Sequence, residues 1–204
     1  MPLTTPVTSP AVCVIIAARN AARTIPVAIA SALRETEVAE VVVVDDASTD
    51  NTRDVALAAD DGSGRLAVIR LDVNRGPSSA RNIAIQASRS PFISILDADD
   101  FFLEGRFRRL FAAADWDFAA DNIMLIRDDA APPFAADPEF LDFERFIDGN
   151  ISRRRVLRGE LGFLKPVISR AFLERHGLTY DENLRLGEDY ELYARAVARG
   201  ARFK

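Results

Sequence analysis

The chain is poor in the residues that staple, anchor or cross membranes. Its one cysteine, Cys13, has no intrachain partner for a disulfide; its place inside an apolar run reads as packing, and this usage suits a reducing cytoplasm. The longest purely apolar stretch, residues 11–18, holds 8 residues, against about 20 for a helix that spans a bilayer. The opening MPLTTPVTSP carries neither a basic n-region nor an apolar h-region, so residues 1–10 are expected as a flexible tail and not as an export signal. Excess positive charge is missing too. With 26 basic against 31 acidic residues the net charge is −5, which argues against a surface made to neutralise nucleic-acid phosphates. The single histidine, His176, sits in a helix-ending turn where it reads as a C-terminal cap, which leaves carboxylates as the general bases at hand.

What remains is an ordinary core-forming composition, 49% hydrophobic and 28% charged over 204 residues, suited to one α/β domain. Apolar, β-branched runs at residues 12–16, 41–44, 66–71 and 92–96 read as strands. Apolar positions at helical spacing within residues 24–33, 51–59 and 78–87 read as the helices between them, with Ser48 or Asp50 a suitable N-cap for the second. Buried strands alternating with helices imply an α/β fold with a mostly parallel central sheet and helices on both faces. Beyond residue 100 the grammar loosens. A helix is expected over 104–114, a strand with polar interruptions over 116–126, and a Pro- and Asp-rich loop over 128–138. A short helix over 140–147 and a strand over 161–169 follow, then a helical turn over 170–176 closed by Gly177 and a helix over 187–199 ending at Gly200. Residues 201–203 look like the opening of another strand, so the chain is expected to be truncated at its C-terminus.

In an open parallel sheet, ligands bind beyond the carboxyl ends of the strands, where strand order reverses. Right-handed crossovers running outward from strand one, followed by a return, make strands one and four neighbours. The loops 17–20, 45–48 and 97–100 then share one edge, and Asp97 and Asp99 face the crevice. Two carboxylates one residue apart repel each other and any phosphate, so the cluster calls for a hard divalent cation, Mg²⁺ or Mn²⁺, beside an anionic ligand. The first loop has no G-x-G-x-x-G, so a diphosphate seated on a helix N-terminus is not supported and the metal must hold it. Asp46 has two readings, an acceptor for a base or ribose and a cap for the helix at Asn51. Glu188 and Asp189 open a helix whose buried face is Leu192, Tyr193, Ala196 and Val197, and read either as complements of the helix dipole or as general bases.

Val14-Ile15-Ile16 with Asn20, Val44-Asp45-Asp46-Ala47-Ser48-Thr49-Asp50, Asn74-Arg75-Gly76 with Ala80-Arg81-Asn82, Leu96-Asp97-Ala98-Asp99-Asp100 and Gly187-Glu188-Asp189 stand in the order seen in family 2 glycosyltransferases. Over about residues 12–200 the chain resembles an inverting enzyme of the GT-A fold. That resemblance implies a GT-A-like, Rossmann-related sandwich forming a single catalytic domain over residues 11–204. Residues 11–100 would be the nucleotide-sugar-binding half and 101–204 the acceptor-binding half. It also implies transfer of a sugar from a nucleotide-diphosphate donor, in the first place a UDP-sugar, to a hydroxyl of a saccharide or lipid-linked saccharide. Trp116-Asp117-Phe118 with Asp121-Asn122, and Leu164-Lys165-Pro166, are most similar to bacterial exopolysaccharide enzymes of the succinoglycan type.

Carried over residue by residue, Asp46 contacts the nucleotide base, Asp97 the ribose or metal, and Asp99 is the direct metal ligand. Asp189 becomes the catalytic base, with Glu188 as the alternative. The first loop departs from the family's Pro-x-aromatic-Asn and reads Ala17-Ala18-Arg19-Asn20. Ala17 and Arg19 therefore line the base-binding wall without an aromatic ring, and Arg19 either stacks its guanidinium on the base or points to solvent. Arg153-Arg154-Arg155 with Arg158 reads as a solvated face or as a contact to a lipid pyrophosphate or anionic membrane surface at the inner face of the cell membrane. Two other classes compete: a sugar-nucleotide-binding module without turnover, and a phosphohydrolase with an aspartyl nucleophile. The second normally opens on its D-x-D strand, whereas here Asp97 follows the fourth strand.

Overall fold

Strand alternation sorts the core into two layers. In β1 (Val12–Ala18) every second side chain points to the same face. Val12, Val14 and Ile16 pack with Ile25, Ala28, Ile29 and Ala32 of α1 (Ile25–Leu33), Ala56 of α2 (Thr52–Ala58) and Phe107 of α4 (Arg106–Phe111). Cys13 and Ile15 pack the other way, with Ala80 and Ala84 of α3 (Pro77–Ala87), Phe146 of α5 (Phe143–Asn150), Phe172 and Leu173 of α6 (Arg170–His176), and Leu192 and Tyr193 of α7 (Glu188–Ala198). Helices thus cover both faces of one sheet. Cys13 is fully buried, as its packing role requires. The computed structural model describes residues 10–113, 115–123, 139–150 and 161–204. Residues 1–9 of the expected tail, the 128–138 loop and the arginines at 153–155 and 158 lie outside the described residues.

The remaining strands are β2 (Val38–Asp46), β3 (Leu66–Leu71), β4 (Phe92–Ile95), β5 (Phe118–Ala119) and β6 (Val167–Ser169). Their order is β3-β2-β1-β4-β6-β5. Strands β1, β2, β3 and β4 run parallel, and β6 pairs antiparallel with both β4 and β5. Strands one and four are therefore neighbours, as the crossover argument requires. The carboxyl ends of β1, β2 and β4 open on one edge.

Where bounds differ from expectation, local chemistry explains it. The strand expected over 116–126 shortens to β5 within the described residues, because Asp117 N–H and Phe118 N–H both turn to the carbonyl of Arg202 and the Asp121 carboxylate is taken by Arg106. The strand expected over 161–169 is a 3-10 turn, Leu161–Phe163, followed by β6; Pro166 has no N–H to give a ladder, so pairing begins after it. Helix α4 starts late because Gly105 sits in the left-handed region at φ 74°, and the buried Glu35 carboxylate accepts from Gly105 N–H and Phe107 N–H. Helix α5 starts at Phe143 because Asp142 Oδ1 accepts from Arg145 N–H at 2.8 Å.

Ser48 does not cap α2, whereas Asp50, one residue before the N-cap position, does satisfy the first N–H of the helix, that of Thr52. The N-cap itself is Asn51, without a side-chain bond; Ser48 Oγ accepts from Asn20 N–H. His176 is not a cap either: Gly177, at φ 59°, closes α6, and the His176 ring lies 4.3 Å from that of Phe172. Phe203 bridges to Phe118 and Leu141, so residues 201–203 do reach the sheet edge.

Candidate active site

The loops after β1 and β2 are stitched to each other. Asn20 N–H donates to Ser48 Oγ at 2.9 Å, Thr49 N–H to Asn20 Oδ1 at 2.8 Å, and Ala21 N–H to Thr52 Oγ1 at 2.7 Å. Asn20 and Ala47 take positive φ values of 51° and 54° to make these turns. For an alanine that conformation costs about 1 kcal/mol, which the crosslinks offset. The rim so formed carries Asp46, whose oxygens accept from Arg75 N–H at 2.7 Å and Gly76 N–H at 2.8 Å. Asp46 therefore fixes the turn into α3 and does not cap α2. Ala17, Arg19 and Asp46 come together in one cleft of about 320 Å³, with Asn74, Gly76 and Arg185.

A second group of side chains is held together by charge. The antiparallel register sets Ser94 of β4 opposite Val167 of β6, so Asp97, two residues past the end of β4, and Lys165, two residues before β6, meet at the same edge. Lys165 Nζ accordingly lies 2.8 Å from both Asp97 Oδ2 and Asp189 Oδ2. Arg81, buried on α3, reaches Asp97 Oδ1 at 3.0 Å, Glu188 Oε1 at 2.5 Å and Asp189 Oδ1 at 3.4 Å. Tyr180 O–H donates to Asp189 Oδ1 at 3.0 Å. Arg106 backs the cluster by donating to the carbonyl of Lys165 while it pairs with Asp121. Two cations thus hold three carboxylates, one from the end of β4 and two from the start of α7.

Burial alone would raise the Asp97 carboxyl, but Lys165 and then Arg81 outweigh it and hold it below its usual 3.8. Burial would likewise lower Lys165, yet Asp189 and Asp97 keep it above its usual 10.5. The depressed Asp97 stabilises the fold above pH 3.8 and loses that contribution as pH falls through its folded value; Lys165 stabilises below 10.5 and loses it as pH rises through its own. The pairing is therefore intact at neutral pH. Removing Lys165 leaves two buried or half-buried carboxylates short of a cation. Lys165→Met should cost about 2 kcal/mol, discounted for the partial exposure of Asp97, and lower Tm by about 4–8 °C. A thermal melt within a degree of wild type would show that the network does not hold the two ends together.

Among the described residues no cluster of three or more His, Cys, Asp or Glu side chains is arranged to hold a metal ion. Asp97 meets Arg81 and Lys165, whereas Asp99 is exposed and has no hydrogen-bond or ion-pair partner among the described residues. Burial first, then the charges of Asp97 and Asp99, raise the Asp100 carboxyl, against a smaller opposing effect of Lys165. One or two free carboxylates with open positions suit Mg²⁺ or Mn²⁺, which complete their shells with phosphate oxygens and water.

The structure brings Asp97, Glu188 and Asp189 into one network and Ala17, Arg19 and Asp46 into the adjoining cleft. Sequence reasoning gave no role to Arg81, Lys165, Tyr180 or Arg185. Arg81 and Lys165 stood inside quoted motifs, but only the antiparallel return of β6 shows why a lysine is needed there.

A family model described as Glycosyl transferase family 2 matches residues 13–168. The chain is 59% identical over 202 residues to succinoglycan biosynthesis protein ExoU of Rhizobium meliloti (strain 1021), covering 95% of this chain and 58% of that protein. It is 41% identical over 204 residues to succinoglycan biosynthesis protein ExoO of the same organism, covering 95% and 57%. The chain thus spans a little over half the length of these curated relatives. S. aureus TarS 1-349 in complex with UDP superposes with a TM-score of 0.74 at 21% identity, over 94% of this chain and 56% of that one. Mannosyltransferase PcManGT from Pyrobaculum calidifontis, in complex with GDP-Man and Mn²⁺, gives 0.68 at 20% identity, over 97% and 55%. At such identities the likeness is one of fold.

Proposed function

The chain belongs to glycosyl transferase family 2, and from that premise we propose that it performs metal-assisted, inverting transfer of a sugar from a UDP-sugar to a hydroxyl of a saccharide or lipid-linked saccharide acceptor in exopolysaccharide synthesis. The meeting of Asp97 and Asp189 on Lys165 carries this reading, because it joins the strand-end acidic motif to the carboxylates that open α7. The UDP held by TarS and the GDP-Man and Mn²⁺ held by PcManGT support a nucleotide-diphosphate donor with a divalent ion. The succinoglycan biosynthesis relatives support a place in exopolysaccharide synthesis.

In this mechanism Ala17, Arg19 and Asp46 receive the nucleoside, and Asp99, with Asp97 nearby, holds Mg²⁺ or Mn²⁺. The ion, when bound, supplies Lewis-acid charge to the diphosphate leaving group. Asp189 Oδ2 accepts from Lys165 and keeps a lone pair with which to take the proton of the acceptor hydroxyl. The acceptor oxygen bonds to the anomeric carbon from the face opposite the diphosphate, whose C–O bond breaks with the electron pair leaving on the diphosphate. One displacement inverts that carbon. Arg81 and Lys165, paired with Asp97 and Asp189, would supply fixed positive charge beside the base. No described helix is long and apolar enough to cross a membrane; contact with the inner face of the cell membrane enters the proposal only through a lipid-linked acceptor.

Titrating UDP into the protein by calorimetry, first with Mn²⁺ and then with EDTA, tests the donor site. Binding tightened by about tenfold or more with the ion is expected, since ion and phosphates complete each other's coordination. Absence of UDP binding in both buffers would overturn the reading.

A further inference from the structure

Arg185 lines the same cleft as Ala17, Arg19 and Asp46, yet it comes from the loop that leads through Gly187 into Glu188 and Asp189. Its guanidinium lies against the bare Cα of Gly76. A Cβ built there would fall 2.0 Å from Arg185 Nη1, so a side chain at position 76 would displace the arginine. The loop itself is pinned around α3: Ser78 Oγ donates to the carbonyl of Leu184 at 3.3 Å, Arg75 pairs with Glu182 at 3.6 Å, and Asn82 exchanges hydrogen bonds with the Tyr180 backbone at 2.9 and 3.0 Å.

Arg75, Arg81 and Lys165 each have a carboxylate. Arg185 has no hydrogen-bond or ion-pair partner among the described residues. Asp46 is the one carboxylate among the cleft-lining residues, and its two oxygens are already given to backbone amides. Two guanidinium groups, those of Arg19 and Arg185, therefore face a cleft with one engaged negative charge. A planar fork of donors without a protein partner is the chemistry that takes a phosphate in bidentate fashion.

We propose that Arg185 binds the diphosphate of the nucleotide donor. The inference rests on the glycosyltransferase reading and adds to it a residue from the α7 side of the site. Because only Leu186 and Gly187 separate Arg185 from Glu188, occupation of the cleft by phosphates also fixes the approach to the carboxylates of α7. Gly187, left-handed at φ 77°, is the joint between them.

The test compares wild type, Arg185→Gln and Arg185→Lys for binding of UDP and of uridine in Mn²⁺ by calorimetry. Arg185→Gln should weaken UDP about tenfold, the size expected of one charge-assisted bond. Arg185→Lys should lose less, uridine affinity should not change, and Tm should hold because the side chain is exposed and unpaired. Equal UDP affinity in wild type and Arg185→Gln overturns the inference and leaves the proposed function standing. An equal loss for uridine also overturns it, placing the side chain at the nucleoside. Failure of wild type itself to bind UDP removes both.

Discussion

Asp189→Asn is expected to cut sugar transfer by about two to four orders of magnitude, the usual contribution of a general base, while UDP binding in Mn²⁺ stays close to wild type. Amide replaces carboxylate at nearly constant volume, so the packing around this buried residue survives. Nor is either cation left without a carboxylate. Three carboxylates face the Arg81 and Lys165 cations, and loss of one leaves two against two. What disappears is the lone pair able to take a proton. Turnover of a UDP-sugar and calorimetric UDP affinity, read on the same preparation, separate the two effects. Glu188→Gln is the comparison. Its Oε1 is occupied by Arg81, and a larger loss of turnover there than in Asp189→Asn would move the base to Glu188.

Asp99→Ala should abolish the gain in UDP affinity that Mn²⁺ provides, so that the variant binds equally with the ion and with EDTA. Because Asp99 is exposed and has no partner among the described residues, the fold should change by no more than about 0.5 kcal/mol. Asp97→Ala makes the contrast. Removing it takes from Arg81 and Lys165 the carboxylate that ties them to the end of β4, leaving both to the carboxylates of α7, so this variant should lose stability as well as nucleotide binding. If Asp99→Ala retains the full effect of Mn²⁺, the ion is held elsewhere.

The parallel half of the fold was open to sequence reasoning because its strands are predominantly apolar and β-branched, and β3 and the cap at Gly177 fall where the residues place them. The pairing of strands one and four followed from right-handed crossovers that run outward and then return, whereas the places of β5 and β6 did not. The second half was harder to read for a physical reason: its pairings are long-range and its short strands are decided by partners far away in the chain. Pro166 delays β6, Arg202 claims the backbone of Asp117, and Glu35 draws out the start of α4. The acidic site residues announce themselves as paired carboxylates at element ends. Their counter-charges do not, since an arginine on a helix or a lysine before a proline carries no local mark of what it will face. Asp46 shows the limit from the other side: the cap reading fails because its oxygens tie down the turn before α3, a partner thirty residues away that nothing local announces.

Because one lysine and one arginine already balance most of the acidity between β4 and α7, the polypeptide requires no inorganic partner to keep that corner closed. On the proposed mechanism, Asp99 would then take up an ion together with the nucleotide and not before it.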